Sequence, residues 1–119
     1  MRGHREYADH VRDMVEAADK AIRFVAGMDY LTFAGDEKTV YAVLRALEIV
    51  GEASKRIPRE VRDRHPELPW RAIGGTRDRL IHDYSRVDLE VIWATVREDL
   101  PGLRVVLERI LEEVSEDGA

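Results

Sequence analysis

The stretch HREYADHVRDMVEAADKAIRFVAGM, residues 4–28, decides the fold class. Its apolar residues recur at steps of three and four, which is the spacing of one face of an α-helix. No stretch of the chain alternates apolar and polar residues as a half-buried strand would. The pattern predicts an all-α protein whose first helix spans residues 4–28, with a core face formed by Tyr7, Val11, Met14, Val15, Ala18, Ile22 and Val25.

Downstream of this helix, caps and prolines delimit two more helices. Residues 27–35 are predicted as a turn region, and Asp36 is a favourable N-cap for a second helix. That helix must end before Pro58, because the residue preceding a proline avoids the α conformation. Proline suits the first turn of a helix, so Pro58 is predicted to open a short third helix over residues 59–64.

A fourth helix is predicted to begin near Trp70 and to contain Ile73, Leu80 and Ile81. Gly74-Gly75 would lie inside it, where each glycine costs about 1 kcal/mol relative to alanine. Two glycines in a helix therefore suggest close packing or a kink at this point.

The C-terminal part of the chain is predicted to form a turn followed by a last helix. Residues 84–87 form the turn, Asp88 is the N-cap of the helix, and Pro101 should kink it because proline lacks a backbone donor. Helices joined by short connections form antiparallel bundles. The expected architecture is thus an antiparallel helical bundle of four to five helices.

Length and composition restrict the class of protein. A chain of 119 residues, 45% of them hydrophobic, is expected to form a single domain over residues 1–119. Its apolar runs are shorter than the roughly 20 residues of a membrane span, and its N-terminus lacks the apolar stretch of a signal peptide. The absence of cysteine excludes disulfides and thiolate chemistry. These features predict a cytoplasmic protein that is not embedded in a membrane.

Charge is unevenly distributed along the chain. The net charge of −5 argues against a general nucleic-acid binder. Residues 55–86, however, hold nine Lys or Arg and five Asp or Glu, a net +4, which leaves −9 for the rest. This asymmetry is compatible with a local anion-binding surface, but charge alone favours solvated helix faces that differ in sign.

The segment RDRLIHDY, residues 77–84, concentrates residues that could carry phosphate chemistry. In a helix, Asp78 and His82 would be i,i+4 neighbours, so the carboxylate could orient the imidazole. Arg77 and His82 would lie about 140° apart around the axis, which prevents them from converging on one atom. Either the helix breaks near His82, or a second copy of the segment completes the site.

The residue types in this segment favour RNA cleavage. An arginine binds phosphate through two parallel hydrogen bonds, and a histidine exchanges protons near neutral pH. A tyrosine such as Tyr84 can bond a phosphate or stack on a base. None of the four histidines has a metal-ligand spacing with a carboxylate, so no metal and no cofactor are expected. Taken alone, the spacing of Arg77, His82 and Tyr84 is weak evidence for catalysis.

The longer stretch PWRAIGGTRDRLIHDY, residues 69–84, resembles the signature of the HepT-like family of the HEPN superfamily. The superfamily is marked by an arginine, a polar residue directly after it and a histidine a few positions on, which match Arg77, Asp78 and His82. The HepT-like branch adds the tyrosine that matches Tyr84. The resemblance continues, in order and with matching spacing, through residues 36–39, 47–53, 87–93 and 100–101.

This resemblance implies a HEPN-like bundle that forms a homodimer. The motif, residues 77–84, of each copy would line a shared cleft. It implies a toxin that cleaves RNA without a metal, in which Arg77 and His82 are the catalytic pair and Asp78 supports them. It also implies a partner, a minimal nucleotidyltransferase antitoxin that transfers AMP from ATP to Tyr84. Two positions depart from the family pattern: asparagine often stands at Asp78, and a larger apolar residue is common at Thr76.

A second function remains open at this point. A non-catalytic HEPN protein would bind a nucleotide or a nucleotidyltransferase partner without cleaving RNA. The intact Arg77, His82 and Tyr84 favour the ribonuclease, whereas the net acidity and Asp78 favour the binding protein. A purely structural dimer would leave this polar cluster unexplained.

Overall fold

The computed structural model describes residues 2–76, 81–83 and 86–118, and side chains within residues 7–76 and 88–114. The regular elements of the described ranges are helices apart from one short antiparallel strand pair, which confirms the predicted all-α class. We number the elements in chain order, and a π-helical segment, Thr95–Asp99, joins the last two helices. The elements are α1 (Arg2–Phe24), α2 (Tyr30–Ala34), α3 (Glu37–Ser54), α4 (Arg59–Arg64), α5 (Trp70–Gly74), β1 (Ile81–Asp83), β2 (Arg86–Val87), α6 (Leu89–Ala94) and α7 (Leu100–Gly118).

Helix α1 is the centre of the bundle, since it packs against both α3 and α7. Its predicted apolar face is the buried face: Val11 and Met14 are fully buried, as are Leu47 of α3 and Leu107 and Ile110 of α7. Full burial of such side chains stabilises the fold by about 1.5–3 kcal/mol each. In the part of the chain that the structure describes, no helix combines the length and apolar character needed to cross a membrane.

Helix α3 begins where its cap predicts. The Asp36 carboxylate accepts hydrogen bonds from the Thr39 backbone amide at 3.2 Å and from the Thr39 hydroxyl at 2.8 Å. These bonds favour the charged carboxylate and hold the pKa of Asp36 below its ordinary value of 3.8. The cap thus stabilises the start of α3 most strongly above that pH.

The connection between α1 and α3 differs from its prediction. Helix α1 ends at Phe24, four residues before the expected end, and the chain turns through Gly27 with φ of +79°. Glycine adopts this left-handed conformation without steric cost. The expected turn region then contains α2, which Asp29 caps and which buries Phe33. Phe33 packs against Trp93 with ring centroids 5.2 Å apart, so a long-range contact accompanies this short helix.

The fourth predicted helix is interrupted after Gly74, Leu80 lies outside the described residues, and Ile81 does not belong to a helix. Helix α5 spans only Trp70–Gly74, and the Gly75 amide closes it by bonding the carbonyl of Arg71. Ile81 instead lies in β1, opposite Val87 of β2, where β-branched side chains are favoured. Residues 86–87 are thus strand, not turn, while residues 84–85 of the predicted turn lie outside the described residues.

The last predicted helix is interrupted before Pro101. Asp88 caps α6 as predicted, with its carboxylate 3.1 Å from the Val91 amide. The π-helical segment follows, and the Leu100 amide bonds the carbonyl of Thr95, five residues back. In a π-helical turn each amide bonds the carbonyl five residues back instead of four. This change of hydrogen bonding lies just before Pro101, which has no amide proton to donate. The irregularity expected at the proline is therefore a change of helix type that ends two residues before it.

A buried histidine ties the α4–α5 connection to α7, a contact that no sequence pattern predicted. The His65 side chain is 9% exposed, and its Nε2 atom lies 3.0 Å from Oε2 of Glu113, 48 residues away. The Trp70 indole donates to the His65 carbonyl at 2.9 Å. These two bonds fix the start of α5 relative to α7.

Helix α5 approaches α3 closely at Gly51. A β-carbon at this position would lie 3.2 Å from the carbonyl oxygen of Ile73. Helix α5 would have to shift slightly to relieve this close contact. We expect Gly51→Val to lower the free energy of unfolding by about 1–3 kcal/mol, because the added methyl groups must displace α5. Urea unfolding of both proteins measures this difference.

The matched control for this prediction is Gly102→Ala in α7. No atom lies within 4 Å of a β-carbon at position 102. Alanine should therefore stabilise the helix by up to about 1 kcal/mol. If Gly51→Val unfolds at the same urea concentration as the wild type, α5 does not depend on this close approach.

Candidate functional site

The structure describes only one of the four predicted site residues. His82 lies in the middle of β1, between Ile81 and Asp83, which pair with Val87 and Arg86 of β2. Arg77, Asp78 and Tyr84 lie outside the described residues. The distances among the four side chains are thus not part of the described geometry.

The position of His82 in a strand corrects the helical geometry assumed from the sequence. A continuous helix through residues 77–84 is wrong, because Ile81–Asp83 is strand. The i,i+4 relation between Asp78 and His82 and the 140° offset of Arg77 from His82 both required that helix. The strand at His82 agrees with the first alternative, in which a helix does not continue through His82. The offset therefore no longer argues for a second copy in the site.

The segment that carries these residues is anchored at its N-terminal end by α5. Ile73 is buried against α3 near Gly51, and Thr76 is 6% exposed directly before Arg77. The Thr76 hydroxyl donates to the carbonyl of Ile73 at 2.6 Å. This bond satisfies a buried hydroxyl that would otherwise be costly, and it explains why a polar residue is tolerated at this position.

The C-terminal end of the segment is anchored by α6. The Asp88 cap begins that helix directly after β2, and Ile92 is fully buried. Trp93 packs against Phe33 and, edge to face, against Tyr30 at a centroid distance of 6.2 Å. Both ends of the segment between residues 76 and 88 are therefore held by packed helices.

An apolar cavity of about 550 Å³ lies beside Thr76, between α3, α5 and α7. Its size is in the range of small-molecule sites. Sequence reasoning missed it, because its walls come from helices far apart in the chain. Apolar side chains form most of these walls, with charged residues at Glu67, Glu98, Asp99 and Arg109; the apolar lining includes Leu47, Val50, Ile73, Leu100, Leu103 and Val106.

Within the described ranges, no three His, Cys, Asp or Glu side chains converge as a set of metal ligands. Among the histidines whose side chains are described, His65 has two neighbouring carboxylates, Glu113 at 3.0 Å and Glu67 at 3.8 Å. Its ring is buried by the core, and its bonds link two helical regions. We therefore assign His65 a structural role.

Comparison with known proteins identifies the family. Residues 14–110 match the model of the family described as Ribonuclease HepT-like. The chain is 43% identical over 109 residues to "Probable ribonuclease HepT" of Thermococcus cleftensis, an alignment that covers 92% of this chain and 96% of the relative.

Two further relatives align over nearly their whole length. The protein named "Putative RNase MJ0125" of Methanocaldococcus jannaschii is 35% identical over 112 residues, which cover 94% of this chain and 97% of the relative. "Putative RNase TTE0752" of Caldanaerobacter subterraneus subsp. tengcongensis is 35% identical over 113 residues, which cover 95% and 98%. No solved structure matches the chain. The family match and the near full-length relatives establish that this chain belongs to the ribonuclease HepT-like family.

Proposed function

We propose that this protein is a metal-independent endoribonuclease toxin controlled by a minimal nucleotidyltransferase antitoxin. The observation that carries the proposal is that a member of a family named for ribonuclease activity retains Arg77, His82 and Tyr84 at the family's spacing. The names of its relatives support an RNA substrate. The anchored ends of the segment support a preorganised site, because both flanking helices are buried in the core.

In the proposed reaction, His82 takes the proton of a ribose 2′-hydroxyl. The 2′-oxygen then bonds to the adjacent phosphorus while the bond from phosphorus to the 5′-oxygen breaks. The 5′-oxygen takes up a proton, which leaves a 2′,3′-cyclic phosphate and a 5′-hydroxyl end. Arg77 stabilises the negative charge that develops on the phosphoryl oxygens, and Asp78 supports the pair.

The first test is cleavage of RNA in the presence of EDTA. We expect cleavage to persist, with products that end in 2′,3′-cyclic phosphate. General acid–base help is typically worth about 10²–10⁴-fold, so His82→Ala should lose roughly that much activity. Arg77→Lys should also be impaired, because an ammonium cannot form the paired bonds of a guanidinium. Gel analysis of the cleavage products measures all three effects.

The matched control for His82→Ala is His10→Ala on α1, which should cleave at the wild-type rate. Full activity in both His82→Ala and Arg77→Lys would contradict the assignment of the site. Activity that EDTA abolishes would contradict metal independence alone. An inactive wild type that still binds a nucleotidyltransferase would favour the alternative, a non-catalytic binding protein, which the acidic Asp78 also favours.

We infer that the active form is a homodimer with the two motifs near each other. The family resemblance supports this arrangement. The open apolar cavity beside Thr76 supports it as well, because a second copy could cover its lining.

Light scattering at micromolar concentration should give twice the chain mass of 13.7 kDa. The triple variant Arg12→Gln, Lys20→Gln, Arg23→Gln, altered only on exposed parts of α1, should remain dimeric. A monomer for the wild type would contradict the dimer.

We infer further that the antitoxin inhibits the toxin by attaching AMP to Tyr84. The tyrosine oxygen bonds to the α-phosphorus of ATP, and pyrophosphate leaves. The phosphodiester brings about one negative charge close to Arg77 in sequence, where it would compete with the RNA phosphate for the guanidinium. Inhibition would then be steric and electrostatic, without a change of fold.

Intact-mass spectrometry after co-expression with the partner tests this mode of control. The wild type should gain the mass of one or more AMP units, and Tyr84→Phe should gain none. Tyr41→Phe is the matched control, since Tyr41 is 66% exposed on α3 and should not alter the modification. A wild type that stays unmodified while the partner silences it would show control by binding alone.

A further inference from the structure

Four exposed basic residues lie near the end of α3, at the start of α4 and in α5. We call Lys55, Arg56, Arg59 and Arg71 the basic surface; all four residues are exposed. Arg56 and Arg59 have no ion pair with another described residue, and neither has Arg71. Lys55 has one, with Glu52 at 3.6 Å, and there both side chains are more than half exposed. An exposed ion pair of this kind is weak and leaves the lysine available to bind another anion.

The basic surface is continuous with the segment that carries the proposed catalytic residues. A β-carbon at Gly74 would contact Lys55 Cγ at 3.6 Å, so the lysine stem lies against α5 three residues before Arg77. Arg71 lies one helical turn before Gly74. The surface therefore begins at the residues that lead into the motif.

Buried neighbours hold the basic surface in place. Ile57 is 1% exposed and Val61 is 2% exposed, and they anchor the chain on both sides of Arg59. Lys55 and Arg59 are four residues apart, which limits the separation of their Cα atoms to about 14 Å. Three cations are thus displayed along a short, fixed stretch of backbone.

The basic residues of α1 differ from those of the basic surface, because they are paired with acids. On α1, each of Arg12, Lys20 and Arg23 lies within 3.3 Å of an aspartate or glutamate one turn away. Outside residues 55–86 the chain carries a net −9, which repels a polyanion. The basic surface is therefore the region next to the motif where an RNA backbone meets cations that are not already paired, although Glu60 lies beside Arg59.

We propose that the basic surface binds the phosphate backbone of the RNA substrate and leads the strand to the motif. The proposal rests on the ribonuclease function proposed above and adds the path of the substrate on the protein. Contacts from Lys and Arg to phosphates position a strand without reading its sequence. The surface should therefore contribute affinity for longer RNA and leave the chemistry of the scissile phosphate unchanged.

Binding is measured first, in the His82→Ala background so that RNA is not consumed. The variant Lys55→Gln, Arg56→Gln, Arg59→Gln is titrated against a fluorescent single-stranded RNA, and the anisotropy is followed. Each lost phosphate contact weakens binding about fivefold near 0.1 M salt, since the salt slope is about 0.7 per contact on a single strand. We expect affinity to fall on the order of a hundredfold and the slope to fall by about 2.

The matched control is Arg12→Gln, Lys20→Gln, Arg23→Gln, which removes the same charge from α1. It should bind RNA as tightly as the His82→Ala parent, with the same salt slope. Thermal unfolding followed by circular dichroism checks that both triple variants are folded. If the basic-surface triple variant does not fold, the single variants Arg56→Gln and Arg71→Gln replace it, with a loss of about fivefold expected for each.

Cleavage then separates this inference from the proposed function. With His82 intact, the basic-surface variant should cleave a dinucleotide at the wild-type rate and a long RNA much more slowly at limiting substrate. If the wild type cleaves RNA and both triple variants bind it equally well, the basic surface has no role in binding and the inference is wrong, while the proposed function stands. If the wild type binds RNA through this surface but never cleaves it, the proposed function fails and the RNA path remains. A wild type that binds no RNA overturns both.

Discussion

The close approach of α5 to α3 is the constraint on which the candidate site depends. Gly51 leaves room for the Ile73 carbonyl, and any larger residue at that position would meet it. Because α5 is only five residues long, it cannot be stable alone and takes its position from this contact. Helix α5 in turn positions Thr76, which directly precedes the motif. A single small residue thus determines where the proposed chemistry takes place.

Much of the fold could be predicted because its signals are local. An N-cap needs only a carboxylate at the right distance from a free amide, which is why Asp36 and Asp88 mark helix starts correctly. The face of α1 follows from spacing alone. The strand at Ile81 could not be predicted in this way, since a strand of three residues exists only through its partner, which follows later in the chain.

The residue types of the candidate site could be predicted from the sequence, but their arrangement could not. The run from Arg77 to Tyr84 indicates phosphate chemistry because each side chain has a distinct role at a phosphate. Its helical geometry was wrong at His82. The tie between His65 and Glu113 and the cavity beside Thr76 were missed for the same reason: their partners are brought together only by the packing of α7.

The uneven distribution of charge also affects how fast a nucleic acid could reach the protein. An acidic body with a cationic surface patch has an electric dipole, and the field of an approaching polyanion turns such a molecule before contact. Encounters would then be biased towards the surface that holds Lys55 and Arg59, both of which are exposed. Steering of this kind raises association rates at low ionic strength and fades as salt shortens the range of the field to about 8 Å under physiological conditions. A small protein of net negative charge can in this way influence both the rate at which it meets a nucleic acid and its orientation at contact.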